Sequence, residues 1–109
     1  MDSIEHVNLI TKVQVNDDNP ELIITSVIEV VEEALEELVH ITGEDIIQVL
    51  NINMQPTWGK GITFEIIIKL EINDSNPDLQ VTSASEVISD AISSIKEAEL
   101  VDINIEHTW

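Results

Sequence analysis

Arginine, cysteine and tyrosine are absent from this chain, and its only basic residues are four lysines, Lys12, Lys60, Lys69 and Lys96. Without cysteine there are no disulfides, no thiolate chemistry and no cysteine-based zinc or iron–sulfur site. So few basic residues argue against a nucleic-acid ligand, because phosphates are held by Lys and Arg. They argue equally against an anionic membrane surface. No apolar run approaches the ~20 residues of a membrane span. The N-terminal MDSIEH is acidic rather than signal-like, so the expected location is cytoplasmic, in the producing or host cell. What is abundant is acid and branched aliphatic: 22 Asp and Glu give a net charge of −18, and 43% of the residues are hydrophobic. At 109 residues the chain has enough for one compact domain, spanning 1–109, and too little for two.

The text repeats itself. Asn16-Asp17-Asp18-Asn19-Pro20-Glu21-Leu22 matches Asn73-Asp74-Ser75-Asn76-Pro77-Asp78-Leu79 at a spacing of 57 residues. The same spacing aligns Val7, Leu9, Val13 and Val15 with Phe64, Ile66, Leu70 and Ile72, and Lys12 with Lys69. Each unit closes on Thr-Trp, at Thr57-Trp58 and Thr108-Trp109, where the spacing has fallen to 51. The second unit (62–109) has therefore lost six residues relative to the first (5–58), and the alignment places the loss near His40–Asp45, between helix and last strand. Two copies are too few for a solenoid.

Each unit reads as strand, helix, strand. Residues 6–15 and 62–72 alternate, with Val7, Leu9, Val13 and Val15 in the first and Ile62, Phe64, Ile66, Ile68, Leu70 and Ile72 in the second facing the core. Residues 46–54 and 100–106 are rich in Ile, Val and Leu with Asn interleaved. Two stretches of helical period lie between, at about 20–40 and 77–97, with stripes Ile24, Val27, Ile28, Val31, Leu35, Leu38 and Val81, Ala84, Val87, Ile88, Ala91, Ile92, Ile95. Asn-Pro at each start suits an Asn N-cap with Pro at N1, and Glu21 and Asp78 suit the helix dipole. Gly43 follows the first helix as a C-cap or loop residue, and Gly59-Lys60-Gly61 makes a tight link between the units. Two right-handed βαβ units so joined predict an α+β, ferredoxin-like βαββαβ fold. Its antiparallel sheet runs in the order 4-1-3-2, with both helices on one face. Trp58 and Trp109 fall in phase with Met54 and Ile105 and are expected to close the two ends of the core.

No motif points to catalysis. Asp17, Asn19 and Glu21 offer alternating oxygens, but a calcium loop also needs a glycine turn and a distal bidentate Glu. Glu37-x-x-His40 has the spacing of a carboxylate–histidine metal pair, which requires four converging helices. His6 and His107 lie at strand ends without a Ser or Cys partner, and no phosphate loop or nucleophile elbow is present. The expectation is a non-enzyme with no cofactor and no metal. Asp18-Asn19-Pro20-Glu21-Leu22 resembles the Asp-x-Pro-Gly-Leu turn of ACT domains, which are βαββαβ modules that bind amino acids at subunit interfaces. That resemblance implies a small-molecule-binding module. Glu21 and Asp78 stand where the family's ligand-contacting glycine would be, and an acidic side chain there obstructs a carboxylate ligand.

The first helix carries the more specific signal. Glu29, Glu32, Glu33, Glu36 and Glu37 fill its outer face with no lysine among them, and three of their i,i+4 pairs are like-charged. Solubility would account for such a face. So would a basic partner, and −18 on this length could occupy a nucleic-acid-binding groove as a mimic. A second signal is apolar. Ile10 and Ile67 are expected on the sheet face away from the helices, with Ile47 and Val49 near one edge of it, and strand 46–54 carries no charge, proline or glycine to blunt that edge. A second copy of the chain is the simplest cover, so a homodimer or larger homo-oligomer is expected. The leading expectation is thus a self-associating acidic protein that binds or inhibits a basic protein. An inhibitor of a nucleic-acid-processing protein, of the kind a virus encodes, is its sharpest form, and the arginine-free, Ile- and Asn-rich composition suits an AT-rich genome. The alternatives are a structural subunit building a ring and the ACT-like module.

Overall fold

The computed structural model describes residues 4–56 and 62–107. The elements follow in the order β1 (Ile4–Val15), α1 (Pro20–Thr42), β2 (Ile47–Pro56), β3 (Ile62–Asn73), α2 (Pro77–Ser93) and β4 (Ala98–His107). The sheet is antiparallel in the order β2-β3-β1-β4, which is the expected 4-1-3-2 read from the other edge. β1 and β3 pair along their whole length, from Ile4 opposite Asn73 to Val15 opposite Ile62. The period-2 pattern decides which side is covered. Val7, Leu9, Val13 and Val15 join Phe64, Ile66, Ile68, Leu70 and Ile72 in one buried cluster with residues of both helices, so both helices lie on the same face.

The helical stripes are narrower than expected. α1 buries Ile23, Val27, Val31 and Leu35, while Ile24, Ile28 and Leu38 are only partly buried. α2 buries Val81, Ala84, Ile88 and Ile92. Val27, Val31 and Leu35 stand 57 residues before Ala84, Ile88 and Ile92, so the two helices use the same turns against the sheet. Each of the buried branched chains contributes about 1.5–3 kcal/mol of transfer free energy relative to exposure.

Two local expectations are corrected, and one irregularity is added. The six-residue difference does not lie in the helix-to-strand connection. Both connections are four residues long (43–46 and 94–97), and α1 has 23 residues against 17 in α2. The added residues are Glu37–Thr42, about 9 Å of extra helix at 1.5 Å per residue. The asparagines before the prolines occupy the N-cap positions, but neither Asn19 nor Asn76 makes a side-chain cap hydrogen bond. Asp17 instead accepts the Asn19 N–H at 3.3 Å, and Asp74 accepts from Gln80 Nε2 at 3.1 Å. The order of the elements is unaffected, because Pro at N1 leaves no orphan N–H there. Finally, both edge strands contain a bulge. The pairing with β3 skips Leu50 in β2, and the pairing with β1 skips Val101 in β4. The two bulged residues are 51 apart, so they occupy matching places in the two units.

The bulge and register also correct the placement of Ile47 and Val49. Ile47 stands opposite Ile72 and Val49 opposite Leu70, both of which face the helices. Paired residues of an antiparallel ladder project to the same side, so Ile47 is fully buried in the core and Val49 packs against it. Neither belongs to the open face. The first connection begins on Gly43 at φ +114°, where a Cβ would stand 2.8 Å from Asp45 Oδ1. Its N–H donates to the Val39 carbonyl and its carbonyl accepts from Ile46 and Ile47. The two tryptophans expected to close the core, and the Gly59-Lys60-Gly61 link, lie outside the described residues.

Among the described residues Thr11 is the buried polar residue of the core: it is fully enclosed, and its hydroxyl has no hydrogen-bond partner. The matching residue of the second unit is Ile68, also fully buried. A valine would keep the branched shape and remove the unpaired oxygen. Thr11→Val is expected to raise stability by about 1 kcal/mol, seen as a Tm increase of about 4 °C in thermal unfolding.

Candidate functional site

The five glutamates singled out by the sequence come together. Glu29, Glu32, Glu33, Glu36 and Glu37 are exposed on the flank of α1 that overlooks β2. They rim an open groove of about 1090 Å³ between that helix and that strand. Leu35, Val39, Val49 and Ile52 form an apolar base, and His40, Glu44 and Gln48 complete the lining. The helical period sets the rim, because positions 29, 32, 33, 36 and 37 fall on one flank while 27, 31 and 35 turn inward. The extension of α1 matters here, since Glu37, Val39 and His40 all belong to its extra residues. Six carboxylates are thus arrayed along one apolar trough, with no lysine among its lining residues.

The groove runs beside a free backbone edge. Among the described residues β2 pairs with β3 alone, so its outer N–H and C=O groups meet no other strand. The exposed residues along it are Gln48, Leu50, Asn51, Asn53, Met54 and Gln55, none of them charged. The opposite edge is different. β4 carries Glu99, Asp102 and Glu106 among its exposed residues. The helices differ the other way, but only in degree: Glu32 and Glu36 of α1 match Ser89 and Ser93 of α2, while Glu29 and Glu33 match Glu86 and Asp90. Acid is therefore denser on the helix of the first half, and exposed on the edge strand only in the second.

The sheet face away from the helices holds Ile10 opposite Ile67, as expected, and both are half-buried. Around them the register places Asn53 and Asn104 in the same row, and Asn8, Lys12, Asn51 and Lys69 in the flanking rows. His6 Nε2 lies 3.3 Å from a Glu71 carboxylate oxygen on that face. The open face is thus polar with a two-residue apolar centre. Met54 and Ile105 are on the helix side of the edge strands but remain 40% and 43% exposed. Among the described residues no group of three or more His, Asp or Glu is placed to hold a metal ion, and no helix is long and apolar enough to cross a membrane.

Sequence reasoning found the acidic rim and missed the apolar base. Val49 and Ile52 both face the helices although they are three positions apart, which strict alternation forbids; the Leu50 bulge restores the phase. No sequence signal marks that bulge in one unit alone, but Leu50 and Val101 at the repeat spacing would have marked it in both.

No protein-family model matches the chain, and no curated protein matches it significantly. Solved structures do match. A protein of unknown function from Bacteroides thetaiotaomicron, described as a possible oxidoreductase, has a TM-score of 0.57 at 17% identity over 94% of this chain and 97% of its own. A de novo designed protein with a ferredoxin fold has a TM-score of 0.58 at 17% identity, covering 94% and 82%. A dimeric ferredoxin-like protein from an uncultured marine organism has a TM-score of 0.51 at 15% identity, covering 97% and 96%. At these identities the likeness shows the fold: this chain is a ferredoxin-like α+β protein. The fold hosts unrelated functions.

The glutamate ladder of α1 is self-repulsive, at about 0.2–0.5 kcal/mol for each like-charged i,i+4 pair. Raising ionic strength from ~10 mM to ~0.15 M shortens the Debye length from about 30 to 8 Å and is expected to raise the Tm. In Glu33→Gln, which removes two of these pairs, the salt-induced rise should be smaller; an equal rise would place the repulsion elsewhere.

Proposed function

We propose that the protein is a non-enzymatic interaction module whose acidic groove, between α1 and β2, takes a basic segment of another protein. The observation that supports this reading is the convergence of Glu29, Glu32, Glu33, Glu36, Glu37 and Glu44 on one trough with an apolar base. Solubility needs charge but not its collection along a trough. α2, which keeps Glu86 and Asp90 but has serine at 89 and 93, serves as the internal comparison. Carboxylates on a rim steer a cationic partner and set its orientation, while the apolar base supplies area. The partner's lysines or arginines would at the same time relieve the self-repulsion of α1. Inhibition of a nucleic-acid-processing protein is the sharpest form of the reading, and it requires the partner to release nucleic acid when this protein binds.

Charge reversal tests it. Glu33→Lys with Glu36→Lys should lower the association rate for a basic partner by at least about tenfold at low salt, with the fold retained by circular dichroism. Unchanged association with a more stable free protein would leave the glutamates with solubility alone.

A second reading, self-association through the open sheet face, rests on the Ile10–Ile67 pair at its centre. Ile67→Lys should then shift sedimentation equilibrium toward monomer. A monomer at high micromolar concentration in the unmodified protein would end this reading.

A further inference from the structure

The unpaired edge of β2 and the acidic flank of α1 are neighbours, and together they specify more than a charged surface. We infer that β2 is a template for strand addition, and that its occupant is an extended segment of another protein with a basic residue at every second position. The inference rests on the acidic-groove reading and deepens it by naming the form of the bound segment. Three observations carry it.

The first is the difference between the two edges. Free edges are ordinarily blunted by charge, and β4 carries three acidic residues along its exposed length, whereas β2 carries none. Both strands have a bulge at the matching place, so the bulge does not distinguish them. Only the β2 edge keeps a neutral run, Asn51–Gln55, beyond its bulge.

The second is the direction in which charge would be met. A strand added beside β2 lies about 4.8 Å outside it and sends alternate side chains to the helix side. On that side the groove offers Glu29, Glu32, Glu33, Glu36 and Glu37 over Val49 and Ile52. A long lysine or arginine stem can lie along the apolar base while its head reaches the carboxylates. On the other side the register presents Asn51, Asn53 and Gln55, which suit polar or β-branched neighbours. Where the bulge interrupts the ladder at Leu50, the segment continues toward Glu37 and Glu44 by charge alone.

The third excludes the nearest alternative occupant. A second copy pairing β2 to β2 about a twofold axis would bring two α1 flanks together, each with five glutamates. Nor does this chain contain any segment with lysine at alternate positions, since its lysines are at 12, 60, 69 and 96. Charge complementarity thus selects a foreign basic strand.

The test uses the full chain and synthetic peptides as long as the 10 residues of β2. One peptide alternates Lys with Val and Thr. A second has the same composition with its lysines in one block. A third is the alternating peptide N-methylated at every second residue, which removes the ladder donors of one edge and keeps the charge. The alternating peptide is expected to bind about tenfold or more tightly than either control, a difference of about 1.4 kcal/mol, and to slow hydrogen exchange at β2 amides but not at β4 amides. Equal affinity for all three, equally weakened by salt, would overturn strand addition and leave the acidic-groove reading intact. Failure of every peptide to bind would overturn both. β2 amides that exchange faster on dilution of the free protein would assign the edge to a second copy and overturn the proposal.

Discussion

β1 and β3 pair residue for residue over twelve positions at the centre of the sheet, and the rest of the molecule is arranged by that pairing. Each βαβ unit leaves a gap between its two strands that it cannot fill itself. The first strand of the other unit fills it, so neither half has a complete sheet or a covered core without its twin. The pairing then dictates that the last strand of each unit is an edge, that α1 lies toward β2 and α2 toward β4, and that both helices share one face. Burial of Val7, Leu9 and Val13 against Phe64, Ile66, Ile68 and Leu70 makes the arrangement favourable in water.

Charge is where the halves part. Similar backbones carry different charge distributions: α1 concentrates carboxylates and β2 has none exposed, while α2 mixes Glu86 and Asp90 with serines and β4 is acidic. The more acidic helix lies over the uncharged edge strand, and the less acidic helix over the acidic one. On the β4 side this protects an edge from adventitious pairing. On the β2 side the arrangement leaves the backbone open and surrounds it with a field that repels anionic chains. In the strand-addition proposal, edge protection and edge selectivity are two uses of the same residue type, separated by whether the carboxylate stands on the strand or on the helix above it. The six residues by which α1 exceeds α2 add Glu37 to that field and Val39 and His40 to the groove beneath it.

Much of this fold is legible in the sequence because period-2 and period-3.6 patterns repeat twice and agree. Alternation over Val7–Val15 and Phe64–Ile72 identifies the core side of the central strands, and Asn-Pro marks the helix starts. Legibility fails where the two units differ or where a strand is irregular. The alignment shows a six-residue loss but not which element absorbed it. The loss went into the helix because both four-residue connections already suffice to turn the chain back to the sheet. Ile47 and Val49 are misread because an uncharged edge strand shows hydrophobic residues on both sides of Leu50, and only the register tells which ones face inward. For the groove, the glutamates were readable as one helical face. Their apolar counterpart, Val49 and Ile52, depended on a strand 20 residues later and on its bulge.

The paired bulges have a historical consequence. Leu50 and Val101 interrupt their strands at the same place in both units, as they would if the irregularity belonged to a single unit before doubling. A lone unit could have completed its sheet only with an identical neighbour, in a symmetric pair whose two edges were necessarily alike. Any substitution that charged one edge charged both, and any that extended one helix extended both. Joining the copies into a single polypeptide broke that bond. It allowed one rim to be closed off and the other to stay available, an asymmetry that no pair of identical chains can encode.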